Sequence, residues 1–119
     1  MGYSLNKLKT ELLEKRYSEN GLVAWGQNNN FGAIGALVSK MFTISQVGQK
    51  IVITPFTNNQ ILFENALAFD KSIIQSAKVG GFLIYSSYLK IVTTDNQVYK
   101  YSIMQGKSAA KQILKNLGL

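Results

Sequence analysis

Leu5, Leu8 and Leu12 recur at the helical period near the start of the chain, with Leu13 at the edge of the stripe. They predict an amphipathic helix over about residues 4–17. Lys7–Glu11 and Glu11–Lys15 set opposite charges four residues apart along it, which adds a little stability to the same helix. Asn20-Gly21 is the expected stop, because both residues tolerate the left-handed conformation of a helix end. A leucine stripe needs a partner surface, so the helix is expected to dock. Residues 22–25 then read as a short strand and the Asn triplet at 28–30 as a loop. The following FGAIGALVSKMF is apolar but rich in Gly and Ala, and period alone does not separate strand from helix there. Close backbone packing at Gly32 and Gly35 favours a buried strand.

From Thr43 the pattern turns to β. Short β-branched and aromatic runs at residues 50–56 and 60–63 flank the turn cluster Thr57-Asn58-Asn59. Pro55 cannot donate to a ladder and belongs at a strand end, an edge or a bulge. Runs at 66–69 and 73–79 are broken by Asp70-Lys71-Ser72. After Gly80-Gly81 come the apolar residues Phe82, Leu83, Ile84 and Tyr85, then a strand over 88–93. Asp95-Asn96 suits a two-residue hairpin turn. The returning strand over 98–103 alternates Val98, Lys100 and Ser102 with Tyr99, Tyr101 and Ile103, the mark of a half-buried antiparallel strand. Ala110, Ile113, Leu114 and Leu117 share one helical arc and predict a closing helix over 107–117, with Gly118 as its cap.

Short antiparallel strands followed by one amphipathic helix are the order of a small barrel plugged by its last helix. The segments ILFENALAFDKSIIQSAKV, YLKIVTTDNQVYKYSI and SAAKQILKNL resemble a bacterial PH-like (pleckstrin-homology-like) domain, over roughly residues 43–117. The resemblance implies an α+β fold: a small antiparallel PH-like β-barrel capped by a C-terminal helix, here with an extra N-terminal helix. The chain is expected to be one domain, with residues 1–20 as the helical extension, 21–104 as the barrel and 106–118 as the cap. Phosphoinositide-binding members of the wider group carry a basic motif ending in Arg between their first two strands. The only Arg here is Arg16, in the N-terminal helix, and the early β region offers Lys40 and Lys50, so that ligand does not carry over.

Composition narrows the chemistry. The 119 residues are 46% hydrophobic, with no His and no Cys, so Ser–His–Asp and Cys–His nucleophile systems and Cys/His zinc sites are excluded. The six carboxylates are Glu11, Glu14, Glu19, Glu64, Asp70 and Asp95. Glu64 and Asp70 are the one pair to weigh as two catalytic carboxylates, yet helix solubility and turn formation explain all six. A non-enzyme without cofactor or metal is expected. The opening MGYSLNKLKTELLEKR places charges where a secretory leader needs an apolar run. A cytoplasmic protein, at most peripheral to a membrane, is expected.

Charge then raises the question of partners. The chain carries 13 Lys and Arg against 6 Asp and Glu, a net +7. After Asp95 it carries Lys100, Lys107, Lys111 and Lys115 and no acid. Lys107, Lys111 and Lys115 form a ridge on the closing helix, and near an anionic membrane each lysine contributes about 1 kcal/mol. Lysine also flanks any solvated amphipathic helix, and scarce arginine disfavours sequence-specific nucleic-acid recognition. Phe82, Leu83, Ile84 and Tyr85 either continue a strand through a bulge or form a connection that binds something, with Trp25 a possible extension of that patch. Two functions are therefore expected. One is a binding or scaffolding module acting on a protein partner or as a homo-oligomer, through residues 82–85, Trp25 and the N-terminal leucine stripe. The other is peripheral attachment to anionic membrane surfaces through the lysine ridge.

Overall fold

The computed structural model describes residues 4–28, 41–81 and 87–119. The expected strand in FGAIGALVSKMF, up to residue 40, and the contact candidates Phe82, Leu83, Ile84 and Tyr85 lie outside the described residues. The described residues form seven strands: β1 (Ala24–Asn28), β2 (Met41–Val47), β3 (Lys50–Phe56), β4 (Leu67–Asp70), β5 (Ile74–Gly80), β6 (Tyr88–Thr93) and β7 (Val98–Gln105). They form one antiparallel sheet in the order β4-β3-β2-β1-β7-β6-β5. The sheet is two meanders joined where β1 pairs with β7. With helices α1 (Leu5–Glu14) and α2 (Lys107–Asn116) this is an α+β curled half-barrel, consistent with the PH-like architecture.

Strand register fixes which side chains face inward. Phe42 and Ile44 of β2, Ile51 and Ile53 of β3, Leu89 and Ile91 of β6, and Tyr101 and Ile103 of β7 are buried in one cluster. α2 closes that cluster with Ala110, Ile113, Leu114 and Leu117, the four positions its period predicted. Gly118 follows with a φ of 73°, as expected of its cap. The outer face of the first meander is covered as well. Leu8 of α1 packs there with Phe56 and Ile61, and Thr43 and Ser45 are buried although polar. Ser45 Oγ donates to the Tyr17 carbonyl, which ties the connection after α1 onto β2. Among the described residues no helix covers the outer face of the second meander, and its outward residues Lys78, Lys100 and Val98 are exposed.

Several boundaries differ from the sequence pattern. β1 spans Ala24–Asn28 in place of 22–25 and takes in Asn28, expected in a loop. α1 ends before Asn20-Gly21, at the C-cap Lys15, because Arg16 takes a left-handed φ of 62°. The amides of Tyr17 and Ser18 then close onto the Leu12 carbonyl, and Tyr17 reaches the Phe63 ring at 4.7 Å. That contact turns the chain out of the helix early. Residues 60–63 contribute one bridge, Phe56↔Ile61, in place of a strand. The Leu62 amide donates to the Pro55 carbonyl at 2.9 Å, and the chain enters a 3₁₀ turn at Phe63–Asn65. In a strand the nitrogen and carbonyl of one residue point to the same side, so the missing Pro55 donor also faces away from β2. β4, which pairs only with Lys50–Ile53 on that side, has no use for it. The hairpin between β6 and β7 closes over three residues, 94–96, in place of the expected two, since Thr93 faces Gln97. Asn96 takes a positive φ of 67° there, and Asp95 serves by its side chain.

The β1–β7 junction depends on one glycine. Gly26 sits at a register shift opposite Ile103, and a Cβ there would stand 1.7 Å from the Ser102 carbonyl oxygen. No side-chain rotation relieves a clash with backbone. Gly26→Ala is therefore expected to cost about 3–5 kcal/mol, read as a lowered midpoint in urea unfolding. A change within about 1 kcal/mol would show that β7 lies further from β1 than described.

Candidate functional site

α2 carries the lysine ridge at one side of a groove. Lys111 and Lys115 are exposed, whereas Lys107, at the first helical position, is half-buried and lies beyond the groove's lining. The opposite wall is β5, and Lys78 joins the cationic rim from there. Ala77, Val79, Leu114 and Leu119 give the groove, of about 520 Å³, an apolar floor. Ala77 and Val79 are inward-facing residues of β5, packed against the core but not covered. Among the described residues β5 pairs with β6 alone, so its second edge borders the groove with unpaired backbone.

Lys100 is not part of the α2 ridge. It projects from the outward face of β7, with its ammonium 4.6 Å from the centre of the Tyr88 ring, a favourable cation–π placement. Register sets Lys90 of β6 directly opposite Lys100, and Lys78 of β5 directly opposite Lys90. Neither Lys78 nor Lys90 emerges from the sequence as a candidate. The expected two-residue turn at Asp95-Asn96 would set 90 opposite 101; the observed loop is one residue longer, and only that register sets Lys90 opposite Lys100. Lys78 needs the bulged register of β5, where Gln75 is the extra residue between Ile74 and Ser76.

Trp25 is used by the fold. Its Nε1 donates to Gln105 Oε1 at 2.7 Å, and its ring meets Phe56 edge-on at 6.1 Å. The α1 leucine stripe is consumed in the same way: Leu8 and Leu12 are 1% and 0% exposed. The expectation that it offers a contact surface is corrected by its docking on the outer face of β2 and β3.

A second cleft, of about 410 Å³, lies between β4 and the β6–β7 hairpin. Leu67, Phe69, Ile73 and Tyr99 wall it, and Thr93 and Asp95 stand at its rim. Phe69 and Tyr99 meet edge to face at 4.9 Å, which joins β4 to β7 by side chains. The Asp95 carboxylate accepts from the Thr93 hydroxyl, a bond that holds its pKa below the usual range. Asp70 is lowered too, first by the Ser72 amide at 3.0 Å and then by the Ser72 hydroxyl and nearby Lys50. These carboxylates act as turn anchors: Asp70 caps the 3₁₀ turn Lys71–Ile73, and Asp95 ties the β6–β7 hairpin. Glu64, the other half of the weighed pair, is exposed in the turn Phe63–Asn65. Burial pushes the Tyr101 phenol well up, so this core hydroxyl stays neutral across the working pH range.

No family model matches the chain, and no curated protein matches it. Among the described residues, no helix is long and apolar enough to cross a membrane.

The lowered Asp70 and Asp95 values make stability pH-dependent in a known sense. Both carboxyls titrate lower in the folded chain than their ordinary value of 3.8. Their contribution is thus full above that value and is lost as pH falls through it toward the folded-state values. The melting temperature is expected to fall on acidification below pH 3.8. The double variant Asp70→Asn/Asp95→Asn should show a flatter acid limb in thermal unfolding; an unchanged limb would remove these two groups from the account.

Proposed function

We propose that the chain is a non-enzymatic binding module of the PH-like class that takes an extended, acidic segment of a partner protein along the free edge of β5. The observation that supports this most is the coincidence, in one groove, of an unpaired strand edge, an apolar floor and a cationic rim. Strand addition to an exposed edge gains affinity from main-chain hydrogen bonds and selectivity from pockets for alternate side chains. The rim of Lys78, Lys111 and Lys115 complements a carboxylate-bearing chain, and the net +7 favours its approach. Natural edges are guarded against indiscriminate pairing by lysines and bulges, and β5 has both, at Lys78 and at Gln75. A second copy of the chain is a poorer occupant: two β5 edges paired about a twofold axis bring lysine towards lysine. A cytoplasmic setting fits such a module.

The test is an NMR titration of the full chain with extended acidic nonapeptides. Amide shifts should concentrate on β5 and α2, and Lys111→Glu/Lys115→Glu should weaken binding by about tenfold or more while the fold is retained. Shifts centred elsewhere would sink the groove reading. Sedimentation with anionic vesicles that needs the same lysines, while no peptide binds, would assign the ridge to a lipid surface instead.

A further inference from the structure

Lys78, Lys90 and Lys100 form one row across three neighbouring strands, each directly opposite the next. Adjacent strands lie about 4.8 Å apart, and like charges placed directly opposite are destabilising. The outward neighbours of the row are Ser76, Gly80, Tyr88, Val92, Val98 and Ser102, and none is acidic. Lys100 rests against the Tyr88 ring. That ring leans towards the edge strand, since a Cβ on Gly80 would stand 2.8 Å from the Tyr88 hydroxyl oxygen. Lys78 ends the row at the open edge of β5.

A segment added to β5 extends this row by one strand. Its side chain opposite Lys78 points outward, and its side chains opposite Ala77 and Val79 point inward, by the alternation of a strand. The inward pair enters the groove floored by Leu114 and Leu119. We propose that the partner is a strand-forming peptide in which a Glu or Asp opposite Lys78 stands between two aliphatic residues. This rests on the β5-edge function proposed above and adds the partner's pattern. The carboxylate sets an opposite charge beside Lys78 at the end of the row, and the aliphatic pair covers the flank of Ala77 and Val79. Lys111 and Lys115 attract an acidic chain from the far rim but do not set its register, because they project from a helix. A single-stranded nucleic acid would meet the same lysines with phosphates, yet it offers no aliphatic side chains for the floor.

The experiment compares two nonapeptides of identical composition by calorimetric titration of the full chain. One alternates aliphatic residues with Glu, and the other groups the same residues in blocks. The alternating peptide should bind about tenfold tighter or more. Lys78→Glu should weaken it by a similar factor and strengthen an alternating peptide carrying Lys in place of Glu. Lys15→Glu makes the same change in net charge on α1 and should do neither. Lys78 is exposed and its replacement relieves like-charge repulsion, so the variant should fold; circular dichroism checks it. Equal binding of the two isomers, or equal effects of the two charge reversals, overturns the pattern and leaves the groove function standing. Failure of every peptide overturns both, and an oligonucleotide that binds in a Lys78-dependent way would then assign the row to phosphate.

Discussion

The fold depends on the close approach of β7 to β1. Every other strand pairing is between neighbours in sequence order, β1 with β2 through to β3 with β4, and β5 with β6 through to β7. Among the described residues the β1–β7 ladder is the one strand pairing between the two meanders, and it brings Trp25 opposite Gln105, eighty residues away in the chain. The contact is intolerant of bulk on both sides. Gly26 leaves room for the Ser102 carbonyl, and Gly106, at the N-cap of α2, comes against the backbone of Val23 and Ala24 with a φ of 87°. One short strand thus receives both the last strand and the start of the last helix. The position of α2 over the core, and with it the groove, follows from that junction.

The two meanders are treated differently by the rest of the chain. α1 and the segment after it cover the outer face of the first, where Thr43 and Ser45 are buried. Among the described residues no helix lies on the outer face of the second, which carries its lysines in register. The proposed binding falls on this second half, which has an edge that no described strand pairs, a row of lysines and an apolar groove within one strand's reach. The half that α1 covers contributes rigidity instead, through the packing of Leu8, Phe56 and Ile61.

Local periodicity made the closing helix, the β6–β7 hairpin and most of the second meander legible. Ala110, Ile113, Leu114 and Leu117 are buried as their spacing demands, and the inward alternation of β7 is as the residues show it. Where tertiary contacts override local pattern, the sequence misleads. MFTISQV alternates apolar with polar like a half-exposed strand, yet α1 buries both faces. The N-terminal leucine stripe announces that its helix docks, but not that β2 and β3 are the surface that takes it. Arg16 is no helix-stop residue by propensity, but the Tyr17–Phe63 contact compels the turn there. The groove was half legible: α2 displays its own lysines, but only a paired and bulged β5 brings Lys78 to them. No period within one segment encodes that meeting.

Gln46, near the end of β2, is only 5% exposed. Its side-chain oxygen accepts from Asn20 at 2.9 Å and from Asn116 at 3.2 Å, and its amide donates to the Gly48 carbonyl at 3.3 Å. The Glu19 amide donates to its backbone carbonyl at 3.0 Å. One buried amide therefore holds the segment after the first helix, the tight β2–β3 turn and the last turn of the second helix. Releasing any of them leaves a polar group stranded for the others, and a stranded buried amide is costly. The segment after α1 and the last turn of α2 thus share one anchor, so freeing Asn116 also loosens the hold on Asn20. The groove wall and the chain's beginning form a single cooperative unit, which sets how far α2 can swing aside before the fold itself begins to come apart.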